Sequence, residues 1–480
     1  MIKNEKKVLL INPSSGNSKG MNEATIYPPL GLTYLASYLR EKSIVNTYDI
    51  KIIDANVINL SNEKIVKIIR EFKPDIIGIH TNIILGRNGA ELSKIIKINF
   101  PKVLICLGGA LASSNPKEML DMSHSDIAIV GEGEITFLEL CEGKDLNEIN
   151  GIVYYKDNKI VFNKPRELIE NLDNLSHPAF DLLPNFKIYP SKARKKPVGA
   201  IMTSRGCPFQ CTFCNTKIFG KKYRPHSPEY VIEEIDILVN KFGVRQFDIL
   251  DDNFTLNIER AEKILDLIIG RKYKILINLQ NGVRADRLTE NLVKKMKEAG
   301  VFKTAVGIES GNNEILKAIK KSLNLNDVAR AIKLFKKYNI ITMGYFMIGF
   351  PDDTKETINE TIDFAINVNP IYATFSMLVP LQGTEIYEHL KKNNLLLSDK
   401  ICYDSGYFSS KANFKSEHLT HDELLLLQKK AYSKFNFRIS KIFEMIGGIK
   451  SFNEFKWLIA ASISILKNII LKNINNPLHN

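Results

Sequence analysis

The strongest constraint on this chain is an alternation. Short apolar runs, the length of a buried strand, are separated by stretches with helical spacing. Val8–Asn12, Tyr48–Asp54, Asp75–His80, Val103–Leu107 and Asp126–Val130 read as strands. Between them Gly31–Lys42, Glu63–Phe72, Ala90–Phe100, Pro116–Met122 and Ile135–Glu142 read as helices; in the first, Leu32, Leu35, Ala36 and Leu39 share one face. Strands apolar along their whole length are buried on both sides, and parallel neighbours need a helical crossover. The prediction for residues 1–150 is an α/β layer: a parallel sheet with helices on both faces.

Such a doubly wound, Rossmann-like sheet takes ligands at the carboxyl ends of its strands. The loops expected there are Pro13–Leu30, Ala55–Ser61, Thr81–Gly89, Gly108–Asn115 and Gly131–Glu134. Several are glycine-rich, which lets a backbone approach a large ligand closely. No GxGxxG follows the first strand, which argues against a nicotinamide dinucleotide. His80, at a strand end, reads as a part-buried rim histidine.

Residues 151–195 read as a connector, with a hairpin around Lys156–Asp157–Asn158 and then Pro165, Pro178, Pro184 and Pro190. The alternation then resumes over 196–385. Strands are predicted at Ala200–Thr203, Gln246–Asp251, Ile275–Gln280, Thr304–Ile308, Thr342–Ile348 and Ala373–Leu378. Helices are predicted at Pro228–Phe242, Glu259–Ile269, Glu290–Ala299, Leu325–Tyr338 and Thr357–Asn367. Polar and glycine residues gather where these strands end.

A length of 480 residues allows two to four domains, and 44% hydrophobic with 25% charged residues excludes collagen-like, mucin-like and fully disordered chains. No run of 18 apolar residues occurs, so no membrane-spanning helix is expected. The start, MIKNEKKVLLINP, is too short in apolar residues for a secretory signal. The net charge of +13 is spread over lysines mixed with glutamates, which reads as solvated surface rather than a nucleic-acid face. Three of the six cysteines fall within eight residues, which is no disulfide framework and points to a reducing, cytoplasmic setting and a metal site.

Those three, Cys207, Cys211 and Cys214, are spaced C-x3-C-x2-C in TSRGCPFQCTFCNT. Three thiolates on one loop form a soft site. Structural zinc needs a fourth ligand, and no second cysteine pair follows. A [4Fe–4S] cluster with one iron left open accommodates three. The alternative, a zinc-stabilised nucleic-acid-binding module, predicts a colourless protein with salt-sensitive binding.

With Phe213 before the last cysteine, this motif resembles the signature of the radical S-adenosylmethionine (SAM) superfamily. The resemblance implies that the three cysteines hold the cluster and that its open iron takes the amino and carboxylate groups of SAM. It also implies a partial (β/α)6 barrel, reductive cleavage of SAM to a 5′-deoxyadenosyl radical, and an electron donor such as flavodoxin or ferredoxin. SAM contacts carried over are Phe213, Asp251, Asp252, Glu309 and Ile348, the last within the Met347–Gly349 stretch; the usual Gly-Gly-Glu wording is missing at 251–253. YPPLGLTYLA (27–36), GEGE (131–134), GFPD (349–352) and PLQGT (380–384) narrow the resemblance to cobalamin (B12)-binding radical SAM proteins, over about residues 5–400. That implies cobalamin in the first domain, bound base-off because no Asp-x-His-x-x-Gly is present, with Gly108, Gly109, Gly131, Glu132 and Gly133 as contacts. The implied reaction is methylation, or another C–C bond formation, at an unactivated carbon. The second enzyme reading is radical coupling, cyclisation or rearrangement without methyl transfer. His226, Tyr345 and Tyr403 are candidate polar substrate contacts, each read first as a packing residue.

Residues 386–480 read as helical. In Phe452–Asn473, Phe455, Ile459, Ile463, Leu466 and Ile470 form an apolar stripe flanked by Lys456, Lys467 and Lys472, with Trp457 as an interface anchor. Docking on the barrel explains such a helix. So does lying on the inner face of a membrane, which would make the substrate a lipid or isoprenoid rather than another small molecule.

Overall fold

The computed structural model describes residues 5–15, 26–189, 193–215, 218–397, 414–447 and 459. Its first strand, β1 (Glu5–Asn12), shows why the first sheet is a middle layer. Val8 and Leu10 belong to one apolar core, Leu9 and Ile11 to another, and all four are fully buried. Successive side chains point to opposite faces, so a strand without polar alternation needs cover on both. Five strands are parallel: β1, β2 (Thr47–Asp54), β3 (Ile76–His80), β4 (Leu104–Gly108) and β5 (Ile127–Ile129). The order β2-β1-β3-β4-β5 reverses direction at β1, so right-handed crossovers send helices to both faces. The reversal opens a crevice beyond the ends of β1 and β3.

The hairpin expected in the connector is part of this sheet. β6 (Ile152–Lys156) and β7 (Lys159–Phe162) continue it antiparallel beyond β5. Two loops expected at strand ends contain short helices, Ala55–Ile58 and Ala110–Ser114. Beyond the hairpin the chain is irregular as expected, yet Leu172, Phe180, Phe186 and Tyr189 are buried in the core of the second domain.

The second sheet is all parallel and in simple sequence order: β8 (Val198–Ile201), β11 (Gln246–Ile249), β12 (Leu276–Val283), β13 (Val301–Glu309), β14 (Ile341–Ile348) and β15 (Tyr372–Met377). Between β8 and β11 lies a two-residue ladder, β9 (Ser204–Arg205) with β10 (Arg224–Pro225). One direction of winding places every crossover helix on the same side, so the sheet curves into a partial barrel. On β14 the helix-facing Thr342, Gly344, Phe346 and Ile348 are buried, whereas Ile341, Met343, Tyr345 and Met347 are half-exposed. The lumen is therefore open to solvent along this wall.

The edge strand β15 is covered by helix His421–Asn436. The Phe375 N–H donates to the Tyr432 hydroxyl (3.1 Å), and its carbonyl accepts from Gln428 (2.8 Å). Side chains thus take the backbone groups that an open edge would leave to another chain. Among the described residues no helix is long and apolar enough to cross a membrane. The expected helix Phe452–Asn473, apart from Ile459, lies outside the described residues, as do Cys402 and Tyr403.

Candidate active site

The cysteine loop hangs between β9 and β10 at the carboxyl mouth of the barrel. Gly206 opens it at φ +86°, where a Cβ would lie 2.2 Å from the Lys222 carbonyl oxygen, so only glycine fits. Thr212 N–H donates to the Ile319 carbonyl (3.0 Å), and Ile386 N–H to the Thr212 carbonyl (3.0 Å). The Arg284 guanidinium lies 3.7 Å from the centre of the Phe209 ring. Backbone bonds and a cation–π contact tie the loop to its surroundings.

Cys207 and Cys211 are half-buried and Cys214 is exposed; all three are free thiols. Burial raises Cys211 above the usual thiol value, while Lys321 and Arg284 pull it back down. Cys214 is raised to about 12, first by the protein crowding behind it and then by the Cys211 and Cys207 sulfurs. Among the described residues no three His, Cys, Asp or Glu close around a single ion. A cluster offers each cysteine its own iron, so its ligands stand farther apart than those of one ion, and this donor set fits.

Around the loop, Phe213 packs on Phe350 (ring centres 5.9 Å apart). Glu309, at φ +66° on a bulge at the end of β13, accepts from Lys321 Nζ at 2.7 Å. Burial works against the Lys321 ammonium, but Glu309 and the Cys211 sulfur hold it protonated. Sequence reading missed Lys321 and Arg284, which carry no motif. Their only signal is position, just past a barrel strand or helix.

Three expected SAM contacts change meaning. Asp251 is buried, and its carboxylate accepts from Thr203 N–H (2.5 Å), Thr203 hydroxyl (2.5 Å) and Ser204 hydroxyl (2.7 Å). It ties down the strand end ahead of the cysteine loop and has little left for a ligand. Asp252 is the exposed acid at the mouth and accepts from the Gly206 N–H. Ile348 is fully buried and its carbonyl takes the Leu378 N–H (2.9 Å), so the side chain open to the lumen is that of Met347. Asp353, just past the GFPD motif, caps the turn by accepting from Gly349 N–H (2.8 Å) and Phe350 N–H (2.9 Å).

The glycine loops of the first sheet divide likewise. A Cβ on Gly108 or Gly131 would meet nothing within 4 Å, so open space borders both. A Cβ on Gly109 would strike the Thr81 carbonyl at 2.5 Å, and one on Gly133 would crowd Leu35 at 3.3 Å. Those two glycines make room for protein. Glu132 is a correction: its side chain is not free for a cofactor. It accepts from Arg205 Nη1 (2.8 Å) and Arg224 Nη1 (2.9 and 3.0 Å), all buried. What remains for a large ligand at 131–133 is backbone at the open end of β5.

His226 is a packing residue. It is buried, stacks on Tyr230 at 3.9 Å, bonds Asp173 at 3.0 Å, and burial lowers it to about 3. His80 is likewise held neutral, at about 4, by burial. Tyr345 faces the lumen, and its hydroxyl donates to the Gln280 carbonyl at 3.3 Å.

A loop of three thiols on a partial barrel, facing an open parallel sheet, defines a class. The radical SAM superfamily model matches residues 201–365 and the B12 binding domain model residues 22–141. The chain belongs to the cobalamin-binding radical SAM superfamily, whose cofactors are a [4Fe–4S] cluster, SAM and cobalamin. It is 37% identical over 454 residues to an uncharacterized methyltransferase of Pyrococcus horikoshii, covering 92% of this chain and 96% of that one. It is 29% identical to the cytidylyl-2-hydroxyethylphosphonate methyltransferase of Streptomyces wedmorensis, covering 84% of each. In fold it is similar to the cobalamin-dependent SAM radical enzyme OxsB, with a TM-score of 0.74 at 19% identity over 96% of this chain and 71% of that one. It is similar also to the methyltransferase TsrM of Kitasatospora setae, with a TM-score of 0.68 at 19% identity over 81% of this chain and 76% of that one.

Proposed function

We propose that this methyltransferase-like enzyme methylates an unactivated carbon of a small molecule bound between the barrel mouth and the first sheet. The observation that carries this reading is the placement of two open ends together. The half-exposed lumen wall of β14 lies below the cysteine loop, and Asn215, next after Cys214, donates to Ser114 at the end of the first sheet (2.8 Å). Cobalamin carries methyl groups, and the cluster with SAM supplies the radical that activates a C–H bond. The chain's own residues position and exclude water. Cys207, Cys211 and Cys214 hold the cluster, Lys321 keeps a positive charge beside it, and Asp252 and Glu309 border the SAM site. The Gly108 and Gly131 backbones border the cobalamin site. Anaerobic, reconstituted protein incubated with methyl-labelled SAM, a low-potential reductant such as dithionite and candidate small-molecule acceptors tests this. The expected products are 5′-deoxyadenosine and S-adenosylhomocysteine in equal amounts. 5′-Deoxyadenosine alone, from protein that holds cobalamin, would support coupling, cyclisation or rearrangement instead; an anaerobic magnesium-protoporphyrin IX monomethyl ester cyclase of Rubrivivax gelatinosus is 28% identical over 80% of this chain.

A lipid or isoprenoid substrate, met at a membrane surface, is favoured by one observation. Helix Ile439–Gly447 leaves Ile439 and Phe443 more than two-thirds exposed. Liposome flotation of the full chain against the double variant Ile439→Ser, Phe443→Ser decides it, with binding expected of the wild type and lost in the variant. Equal flotation of both rejects this helix as the anchor.

A further inference from the structure

The buried ion cluster behind the cysteine loop belongs to both domains. Glu132 and Glu134 follow β5 of the first sheet. Arg205 and Arg224 are opposite residues of the ladder that closes the cysteine loop. Arg205 donates one nitrogen to Glu132 (2.8 Å) and another to Glu134 (2.8 Å), and all four residues are at most 5% exposed. The Arg205 guanidinium also lies between two rings, 5.2 Å from Tyr34 of the first domain and 5.4 Å from Phe219 of the loop. Arg224 is held further by the Ile169 carbonyl (2.6 Å) and the Phe219 carbonyl (2.9 Å). Along the chain, Gly131, whose Cα borders open space, is next to Glu132, and Arg205 is two residues before Cys207.

We infer that Glu132 is a positioning residue that transmits occupancy of the first domain's cofactor site to the iron–sulfur loop. The inference rests on the reading that cobalamin sits against Gly131. A ligand there sets the backbone of 131–133. Glu132 can follow only by moving Arg205 and Arg224 together, because each guanidinium is a rigid fork in a buried site. Arg205 in turn moves the stem of the cysteine loop. A buried pair of this kind is weak evidence for stability and better evidence for a fixed register between two parts.

The test compares wild type with Glu132→Gln, which keeps shape and loses charge, each cluster-loaded, with and without cobalamin. The readouts are SAM affinity and the electron paramagnetic resonance signal of the reduced cluster. Wild type is expected to bind SAM at least about fivefold more tightly with cobalamin and to change its signal, on the scale of ordinary site-to-site coupling. Glu132→Gln is expected to bind cobalamin yet show the same SAM affinity and signal either way. A merely structural residue would lower the unfolding midpoint and leave the dependence intact, which overturns the inference, as does a wild type indifferent to cobalamin. Folded wild type that takes up no cobalamin refutes the underlying reading instead. If Glu132→Gln does not fold, Glu132→Asp, which keeps the charge but is one methylene too short to hold both guanidiniums, carries the same comparison.

Discussion

Replacing Glu234 by glutamine should stabilise the protein increasingly as pH rises from 4.5 to about 8, and do little below 4.5. Glu234 lies on helix Pro228–Phe242 and is 2% exposed. Its neighbours are the Tyr34 hydroxyl at 3.5 Å from one oxygen, the His177 ring at 4.0 Å, and Tyr230, which stacks on His226; Arg205 lies behind Tyr34. The other carboxyl oxygen has no hydrogen-bond partner among the described residues. Burial, with Asp251 adding to it, raises Glu234 from 4.5 to about 8. The folded state therefore holds the proton more tightly than the unfolded one. The stability this contributes is complete below 4.5 and is lost as pH rises through about 8. At about 1.4 kcal/mol per pH unit, ionising the group in place costs about 5 kcal/mol. Glutamine mimics the protonated acid. Urea unfolding of both proteins, followed by circular dichroism from pH 4 to pH 9, should show near-equal midpoints at the acid end. The curves should diverge by up to about 5 kcal/mol at the alkaline end, in favour of the variant. Parallel curves across the range would refute the reasoning, since the buried carboxyl would then be ionised without cost.

Cys207→Ala, Cys211→Ala or Cys214→Ala should each abolish 5′-deoxyadenosine formation and lower iron from about four per chain. Cys106→Ala and Cys141→Ala, both buried in the first domain, should leave it in place; iron and nucleoside assays on the five variants check this. Asp353→Ala leaves the Gly349 and Phe350 N–H groups unpaired, which should cost about 2–4 kcal/mol in urea unfolding; Asp353→Asn keeps an acceptor and should cost less. Lys321→Met strips the buried Glu309 of its cation, and calorimetric titration of the cluster-loaded variant should show SAM binding at least about tenfold weaker, since a charged hydrogen bond contributes roughly 1.5–3 kcal/mol.

What could be read in the sequence followed from how local the cause is. The cysteine loop was legible because its spacing is fixed along the backbone, and the two sheets because an apolar strand needs cover on both faces wherever it sits. Partners far along the chain were not legible. Glu132 carried the motif of a cofactor loop, but its charge answers to Arg205 and Arg224, 73 and 92 residues away. Asp251 was expected at the ligand and instead bonds Thr203 and Ser204, 48 and 47 residues back. The hairpin Ile152–Phe162 was visible as a hairpin; that it adds to the first sheet depends on pairing with β5, which no local pattern states. Lys321 and Arg284 became recognisable only once the loop they steady had a place.

The apolar interior does not respect the boundary between the domains. Leu30 and Tyr34, on the first helix of the first domain, are buried in the barrel's core, and Val379, just past the last barrel strand, is buried in the first sheet's core. Each half thus finishes the other's interior. The two cannot be treated as interchangeable modules: a chimera that borrows its cobalamin domain from a relative must bring complementary side chains for Leu30, Tyr34, Glu132 and Glu134 together, or it will expose oil and strand two arginines at its seam.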